Sequence, residues 1–456
     1  MLLSRLLSGA SIWLATQILA LIFVFYCFAC VLYNRFLHPY KHYPGPFLAS
    51  ITPLWYWYAV RFGIADNTQL PLHLEYGPFV RIAPNEIAIQ DPAAIDDIYG
   101  PKQSFTKSSF YMGFSPAISP RHGNFEEQDE KAHTTRRRIV APLYTQGSIL
   151  EFEPCVDRLI ALFYRQISSF AAADYTFDMS VWLRKYTFDV VGEIFYGKIG
   201  GFGFLRDDVD YNNWLALMDT MPNPAAAKTY VPYGFQTLFF LAELVFPATR
   251  VGAKGFFDVI TQSHTAVRER IAERDHAYTD AKDGAKNDML SCLLDLARET
   301  SYLPANDPKR FTILDVTAEI WTMIWAGSDT TSIALTSIFY HLHRNPATLV
   351  KLRQEIDEAV ENGTLTYPLR YADCIKLPYL HAVVREGMRM HASLGTGLPR
   401  VVPEGGAEIC GRKFPGGGGG TYITLLLRCF PLLWLSFLPS QVCSGPITSV
   451  LKPAPT

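Results

Sequence analysis

Residues 326–331 of this 456-residue chain read Ala-Gly-Ser-Asp-Thr-Thr inside an otherwise apolar run, AEIWTMIWAGSDTTSIALTSIF. Apolar side chains on nearly every face predict a central, buried helix. Gly327 in a helix costs about 1 kcal/mol relative to Ala. Asp329 in a buried helix costs more unless it is paired. Ser328, Thr330 and Thr331 can bond back to the i−4 carbonyl and bend the helix. Three locally unfavourable choices in a row point to a site where backbone is approached closely, the helix opens, and an acid lies beside a hydroxyl. An ordinary kink, satisfied by its own Ser and Thr side chains, fits the same residues.

A second pair, Glu386 and Arg389, has the i,i+3 spacing that puts both on one helical face. Ala382, Val383, Val384 and Met390 around them are apolar, which predicts partial burial and a directional fork-to-carboxylate contact. An isolated E-x-x-R is more commonly a surface salt bridge.

These motifs need long helices to carry them, and the pattern supplies them. Helix-period stripes cover 129–143, 155–171, 178–196 and 251–275. A long run from Thr312 to His343 is stopped by Asn345-Pro346. Pro346–Glu361 and Pro378–His391 are two further helices, and Leu398–Val402 is a short strand. The β-branched stretch VRIAPNEIAIQ (80–90) predicts a hairpin turning at Pro84-Asn85. The charged stretch 275–288 reads as an exposed loop. The fold class expected is mainly α with a minor β subdomain.

Composition sets the surroundings. Apolar residues make up 49% and charged residues 18%, with 41 Lys+Arg against 43 Asp+Glu. That is too apolar for a disordered chain and too balanced for one that coats nucleic acid. The eight cysteines are irregularly spaced with no paired CxxC grouping, so neither a zinc site nor a disulfide framework is expected. Ile12–Leu32 has no charge and is long enough, at about 1.5 Å per residue, to cross a bilayer core. No A-x-A cleavage site follows, which favours a retained anchor over a signal peptide. Arg35, His38, Lys41 and His42 follow the run, whereas Arg5 and the amino terminus precede it. The positive-inside rule then puts the main body in the cytosol. Tyr43-Pro44-Gly45-Pro46-Phe47 is a stiff, extended hinge. The expected division is an anchor (1–34), a hinge (35–48), a helical body (49–415) and a divergent apolar tail (416–456).

In this order and with these neighbours, the motifs resemble those of the cytochrome P-450 family of haem-thiolate monooxygenases, microsomal fungal type. The segment AGSDTT resembles the family's [AG]-G-x-[DE]-T-T oxygen-activation segment, and Glu386 with Arg389 its E-x-x-R pair. The anchor with YPGPF is similar to the proline-rich hinge of microsomal members. HTTRR is similar to the W-x-x-x-R helix, with His133 in the Trp place and Arg137 as the arginine. LPRVVPEGG is similar to the strand after the E-x-x-R helix.

The resemblance implies the cytochrome P-450 fold behind an N-terminal transmembrane helix, single-pass in the endoplasmic reticulum. It implies insertion of one oxygen atom from O2 into a lipophilic small molecule, in secondary metabolism. Electrons would come from NADPH through a separate reductase. Asp329 and Thr330 would be catalytic, relaying protons to bound oxygen. Gly327 would leave room for the flat haem. Arg137 and Arg400 would pair with its propionates, and His133 would add a bond. Glu386 and Arg389 would be structural. Arg136 and Arg138 read as a solvated basic face, with reductase docking as the alternative.

The resemblance stops near residue 415. The family's F-x-x-G-x-R-x-C-x-G segment would supply the haem iron's cysteine ligand, and the chain has no full match to it. Cys443 keeps the C-x-G part, but Ser436, Pro439 and Gln441 occupy the Phe, Gly and Arg places. Cys429 fits less well, with Tyr422, Leu425 and Leu427 there. The 43 residues after Lys413 carry two charged side chains, Arg428 and Lys452. Three readings of this tail stand: a second membrane-inserting stretch from Ile423 to Leu438, a haemless pseudoenzyme, or a mis-spliced gene model in which the frame is lost after Gly420. Haem is expected if the C-terminus is completed, and no protein metal ligand is assigned.

Overall fold

The structure is a computed structural model. It describes residues 9–100, 104–115, 123–231, 235–277, 288–395, 397–416 and 422–425. The chain divides into two compact units, one formed by residues up to Ser108 and again from Thr396, the other by Ser109–Gly395.

In the first unit, helix α1 (Gly9–Leu32) runs into a π-turn, Tyr33–Leu37. Trp13–Leu37 has a mean hydropathy of 2.3 and none of it is buried in the protein. Among the described residues it is the one helix long and apolar enough to cross a membrane. Helices α2 (Phe47–Ile51), α3 (Leu54–Arg61), α4 (Ala65–Tyr76) and α5 (Ala94–Tyr99) accompany a five-stranded sheet whose strands lie in the order Phe79–Ala83 (β1), Glu86–Ile89 (β2), Tyr422–Leu425 (β7), Arg400–Val401 (β4) and Thr106–Lys107 (β3). Strands β1 (Phe79–Ala83) and β2 (Glu86–Ile89) form the hairpin expected around Pro84-Asn85, with Phe79 opposite Ile89 and Ala83 opposite Glu86. Both strands are buried throughout, which explains the loose alternation of their sequence: strands covered on both faces need not alternate. β3 (Thr106–Lys107) and β4 (Arg400–Val401) close the far edge, and β5 (Ala407–Ile409) and β6 (Arg412–Phe414) form a separate hairpin.

The hinge is held by more than its prolines. The Arg81 N–H donates to the Pro44 carbonyl (2.7 Å), and a Cβ on Gly45 would collide with the Arg81 carbonyl. Tyr43 stacks on Phe414, with centroids 5.4 Å apart. Arg81 is itself buried, donating to the carbonyls of Pro84 (3.0 Å) and Asn34 (3.0 Å). The connection that follows α1 is thus fastened to β1.

The tail also differs from its membrane-inserting reading at its start. Tyr422–Leu425 is strand β7, which pairs in parallel with β2 (Ile87 opposite Ile423) and antiparallel with β4 (Arg400 opposite Ile423). Ile423 is fully buried in the sheet. Cys429 and Cys443 lie outside the described residues.

The second unit is helical. α6 (Glu130–Val140) is capped by Asp129, and α7 (Glu153–Ala172) and α8 (Met179–Tyr196) follow. Next come α9 (Trp214–Thr220), α10 (Pro247–Ala277) and α11 (Met289–Glu299). The central helix starts at a Thr312/Asp315 capping box and runs as α12 (Ile313–Met323), a π-turn (Ile324–Ser328) and α13 (Asp329–Arg344). α14 (Pro346–Glu361) and α15 (Pro378–Met390) begin on prolines at their first helical positions, where the missing N–H costs nothing. The core gathers Phe188 and Val191 of α8, Trp214 and Leu217 of α9, Leu293 of α11, and Ile320, Trp321 and Ile324 of the central helix. Of the stretch 275–288, read as an exposed loop, residues 275–277 continue α10 and buried Asp288 caps α11, while 278–287 lie outside the described residues.

α15 crosses α13 at Gly387. Its carbonyl accepts from Ser337 Oγ (2.8 Å), and a Cβ there would collide with Ile338. Gly387→Ala is expected to cost about 1–3 kcal/mol through overpacking, measured as a lower urea midpoint. An unchanged midpoint would mean that the crossing is not tight.

Candidate active site

The site is built on the opened turn of the central helix. A π-turn admits one extra residue per turn and leaves carbonyls poorly served. At Ile324–Ser328 the Thr330 hydroxyl meets that need by donating to the Ala326 carbonyl at 2.6 Å. The kink is satisfied by its own side chain, and the same bond leaves the lone pairs of Thr330 Oγ1 available as acceptors. The Thr330 carbonyl accepts from Ser393 Oγ (2.7 Å), fixing this turn to the segment after α15. Ser328 Oγ is wholly buried without a hydrogen-bond partner among the described residues.

Gly327 faces α8: a Cβ would lie 3.2 Å from Val191 Cγ2. Close helix approach is therefore one reason for glycine here. Asp329, next in sequence to Thr330, is held above the usual carboxylate range by burial, with Arg184 opposing and Asp219 adding to the rise. Arg184 of α8 donates to Asp219 Oδ1 (2.8 Å), while its Nε is 3.8 Å from Asp329 Oδ1.

Helix α6 carries the other candidates. His133 Nδ1 is 3.5 Å from Glu130 Oε1. Arg137 is exposed and has no ion pair among the described residues. Its neighbour Arg136 does not lie on a solvated face: its side chain is turned inward, 3.5 Å from Glu127 and 3.7 Å from Asp315. Arg136 stands four residues before buried Val140, so the two share a helical face, a signal that the run of three arginines obscured. Arg138 is exposed, as expected. Arg400 belongs to the first unit, on β4, with its guanidinium 4.8 Å from the centroid of the Tyr99 ring.

Glu386 and Arg389 make the expected fork, with Nε to Oε2 at 2.7 Å and Nη2 to Oε1 at 2.6 Å. Arg389 is the buried partner, whereas the Glu386 side chain is 45% exposed. Solvent screening therefore limits the pair to a modest contribution.

Sequence reasoning missed Glu319, one helical stretch before the π-turn. It is buried, accepts from Asn124 Nδ2 (2.5 Å) and Tyr144 OH (3.5 Å), and is pushed up to about 7 by burial, with Arg136 opposing and Glu126 adding. Folding thus favours the protonated acid. The stability this gives is full below about pH 4.5, the carboxyl's ordinary value, and is lost as pH rises through about 7. The swing is on the order of 3 kcal/mol. Glu319→Gln is expected to flatten this part of the stability–pH curve in denaturant unfolding; an unaltered curve would place the titration elsewhere.

The donor chemistry fits the implied haem on one side only. The π-turn with its acid and hydroxyl suits the oxygen side. On the thiolate side, none of the described cysteines, Cys27, Cys30, Cys155, Cys292, Cys374 and Cys410, lies in an F-x-x-G-x-R-x-C-x-G segment.

Comparison with known proteins bears on the family. The Cytochrome P450 family profile matches residues 48–419. Cytochrome P450 monooxygenase gsfF of Penicillium aethiopicum is 35% identical over 86% of this chain and 76% of its own length. A pisatin demethylase of Fusarium vanettenii is 31% identical over 88% of this chain and 75% of its own. Among solved structures, retinoic acid-bound cyanobacterial CYP120A1 matches 84% of this chain and 76% of its own with a TM-score of 0.58; at 15% identity that likeness concerns the fold alone. On the profile and the relatives together, this chain belongs to the cytochrome P450 family.

Proposed function

We propose that this protein is a membrane-anchored haem monooxygenase that inserts one oxygen atom from O2 into a lipophilic small molecule of secondary metabolism. Asp329 beside Thr330 on the opened turn of the central helix is the observation that carries the reading. Electrons would come from NADPH through a reductase. The anchor would hold the protein on the endoplasmic reticulum with its body in the cytosol. Exposed apolar side chains of Phe47, Leu48, Leu54, Tyr58 and Phe62, which follow the anchor in the first unit, support a membrane-facing placement. Relatives named as P450 monooxygenases and as a demethylase support a small-molecule substrate.

Bound haem supplies oxygen activation in this family. The chain's own residues do the rest. Burial raises Asp329 above its ordinary carboxylate value, with Arg184 opposing, and so favours its acid form beside Thr330. Thr330 donates to Ala326 and so presents an acceptor to any donor bound beside it. His133, Arg137 and Arg400 would meet the carboxylates of the cofactor. The ligand to iron would come from the completed C-terminal segment.

One observation favours a second reading, a haemless pseudoenzyme: no described cysteine lies in the family's F-x-x-G-x-R-x-C-x-G ligand segment. The two separate in an ¹⁸O₂ experiment. A chain whose residues after Gly420 are replaced by a segment containing F-x-x-G-x-R-x-C-x-G, supplied with reductase and NADPH, is expected to place one ¹⁸O atom in its product. A folded, repaired chain that takes up no haem would support the pseudoenzyme.

A further inference from the structure

The pairing of Arg184 is unbalanced in a way that the proposed chemistry does not use. One end of its guanidinium, Nη1, is hydrogen-bonded to Asp219 on α9 at 2.8 Å. Its Nε is buried, has no hydrogen-bond partner among the described residues, and lies 3.8 Å from Asp329 Oδ1. That gap is too long for a charge-assisted hydrogen bond and exceeds its usual length by about 1 Å. A buried donor without an acceptor is costly, so a nearby acceptor is the natural explanation for its position. The two carboxylates differ sharply in setting. The Asp219 side chain is 62% exposed and that of Asp329 is 19% exposed.

Resting on the reading of Asp329 as a proton-carrying acid, we propose that Arg184 is a positioning residue that serves two carboxylates in turn. It stays on Asp219 while Asp329 holds its proton, and shifts Nε onto Asp329 when that proton is given up. In the step, the O–H bond of the Asp329 carboxyl breaks and its electron pair stays on the carboxylate. The proton passes to an oxygen acceptor in the site. A proton from bulk solvent, relayed by water, restores the carboxyl afterwards through the solvent-touched edge of Asp329. Arg184 keeps its charge throughout and carries no proton. Asp219 loses little when released, because water replaces the guanidinium. Asp329 gains much, because a buried carboxylate would otherwise be left without a counter-charge.

The groups that set this balance are few. Arg184 on α8 favours the ionised form of Asp329 and Asp219 on α9 opposes it. From α15 and the residue after it, Glu386, Arg389 and His391 act on His341, some three turns further along α13. Within α13 and its π-turn, the neighbours Ser328 and Thr330 are uncharged.

The test needs neither haem nor turnover. In the full chain in lipid nanodiscs, the infrared carbonyl band of protonated Asp329 is identified by its loss in Asp329→Asn and titrated against pH. Removing the cation in Arg184→Gln is expected to raise the midpoint by ~1 pH unit or more. Removing the competing carboxylate in Asp219→Asn frees Arg184 and is expected to lower it. Arg184→Lys keeps the charge and is expected to stay closer to the parent than Arg184→Gln. Because Asp219 is exposed, its variant tests the proposal even where an Arg184 variant folds badly. Midpoints that stay put, or that move the same way in Arg184→Gln and Asp219→Asn, overturn the proposal. Opposite shifts in a chain that fails to oxygenate when repaired would overturn the functional reading and leave the pairing intact.

Discussion

Asp329→Asn is expected to lower product formation by the repaired, haem-loaded enzyme by about 10²–10⁴-fold, the usual contribution of a placed proton donor. The substitution keeps shape and removes the exchangeable acid. Its effect on folding is small, because among the described residues the carboxylate accepts no hydrogen bond and its ion-pair partner Arg184 approaches only to 3.8 Å. Loss of rate should come with loss of the limb on which the rate falls as pH rises through the Asp329 titration, while substrate binding stays near the parent value. Thr330→Ala removes the donor to the Ala326 carbonyl and so disturbs the π-turn as well; Thr330→Ser, which keeps that bond, should recover most of the rate. An Asp329→Asn enzyme with parent rates would mean that protons reach the site by another route.

The largest stability effect is expected at Arg270. It is 6% exposed, donates to both oxygens of Asp288 (2.8 and 2.7 Å) and to Ser291 Oγ (2.6 Å), and reaches the Tyr196 carbonyl at 3.2 Å. It thereby joins the end of α8, the start of α11 and the middle of α10. Gly197 closes α8 in the left-handed conformation (φ +62°), and a Cβ there would strike Asp288. Arg270→Ala leaves the buried Asp288 carboxylate without its counter-charge, a loss of about 3–5 kcal/mol. Combining Arg270→Met with Asp288→Asn removes both charges while keeping the helix cap, and is expected to recover much of that loss. Chemical denaturation of the three proteins checks this; equal midpoints for Arg270→Ala and the parent would show that the pair is not coupled to folding.

Helices with strong local punctuation were legible in the sequence. Pro346 and Pro378 mark first turns, Thr312 caps the central helix, and Pro84-Asn85 turns the hairpin, because each residue's backbone preference agrees with the fold around it. The opened helix was legible too, since Gly327, Asp329 and Thr330 each break a local rule. What could not be read depends on distant partners. Nothing local distinguishes Arg184 from the other polar residues of α8; its meaning comes from Asp219 and Asp329, 35 and 145 positions away. Arg136 was hidden among three arginines. Tyr422–Leu425 is too short for period to separate strand from helix, and its place between β2 and β4 follows from pairing across the sheet.

The monooxygenase reading turns on the segment after Gly420, which departs from the family's F-x-x-G-x-R-x-C-x-G pattern. The carbon monoxide difference spectrum of the reduced protein decides it, on the chain as it stands and on residues 1–420 joined to an F-x-x-G-x-R-x-C-x-G segment. The thiolate-haem band is expected in the joined protein and not in the present chain. A folded joined protein without the band, or the band in the present chain, would overturn the reading.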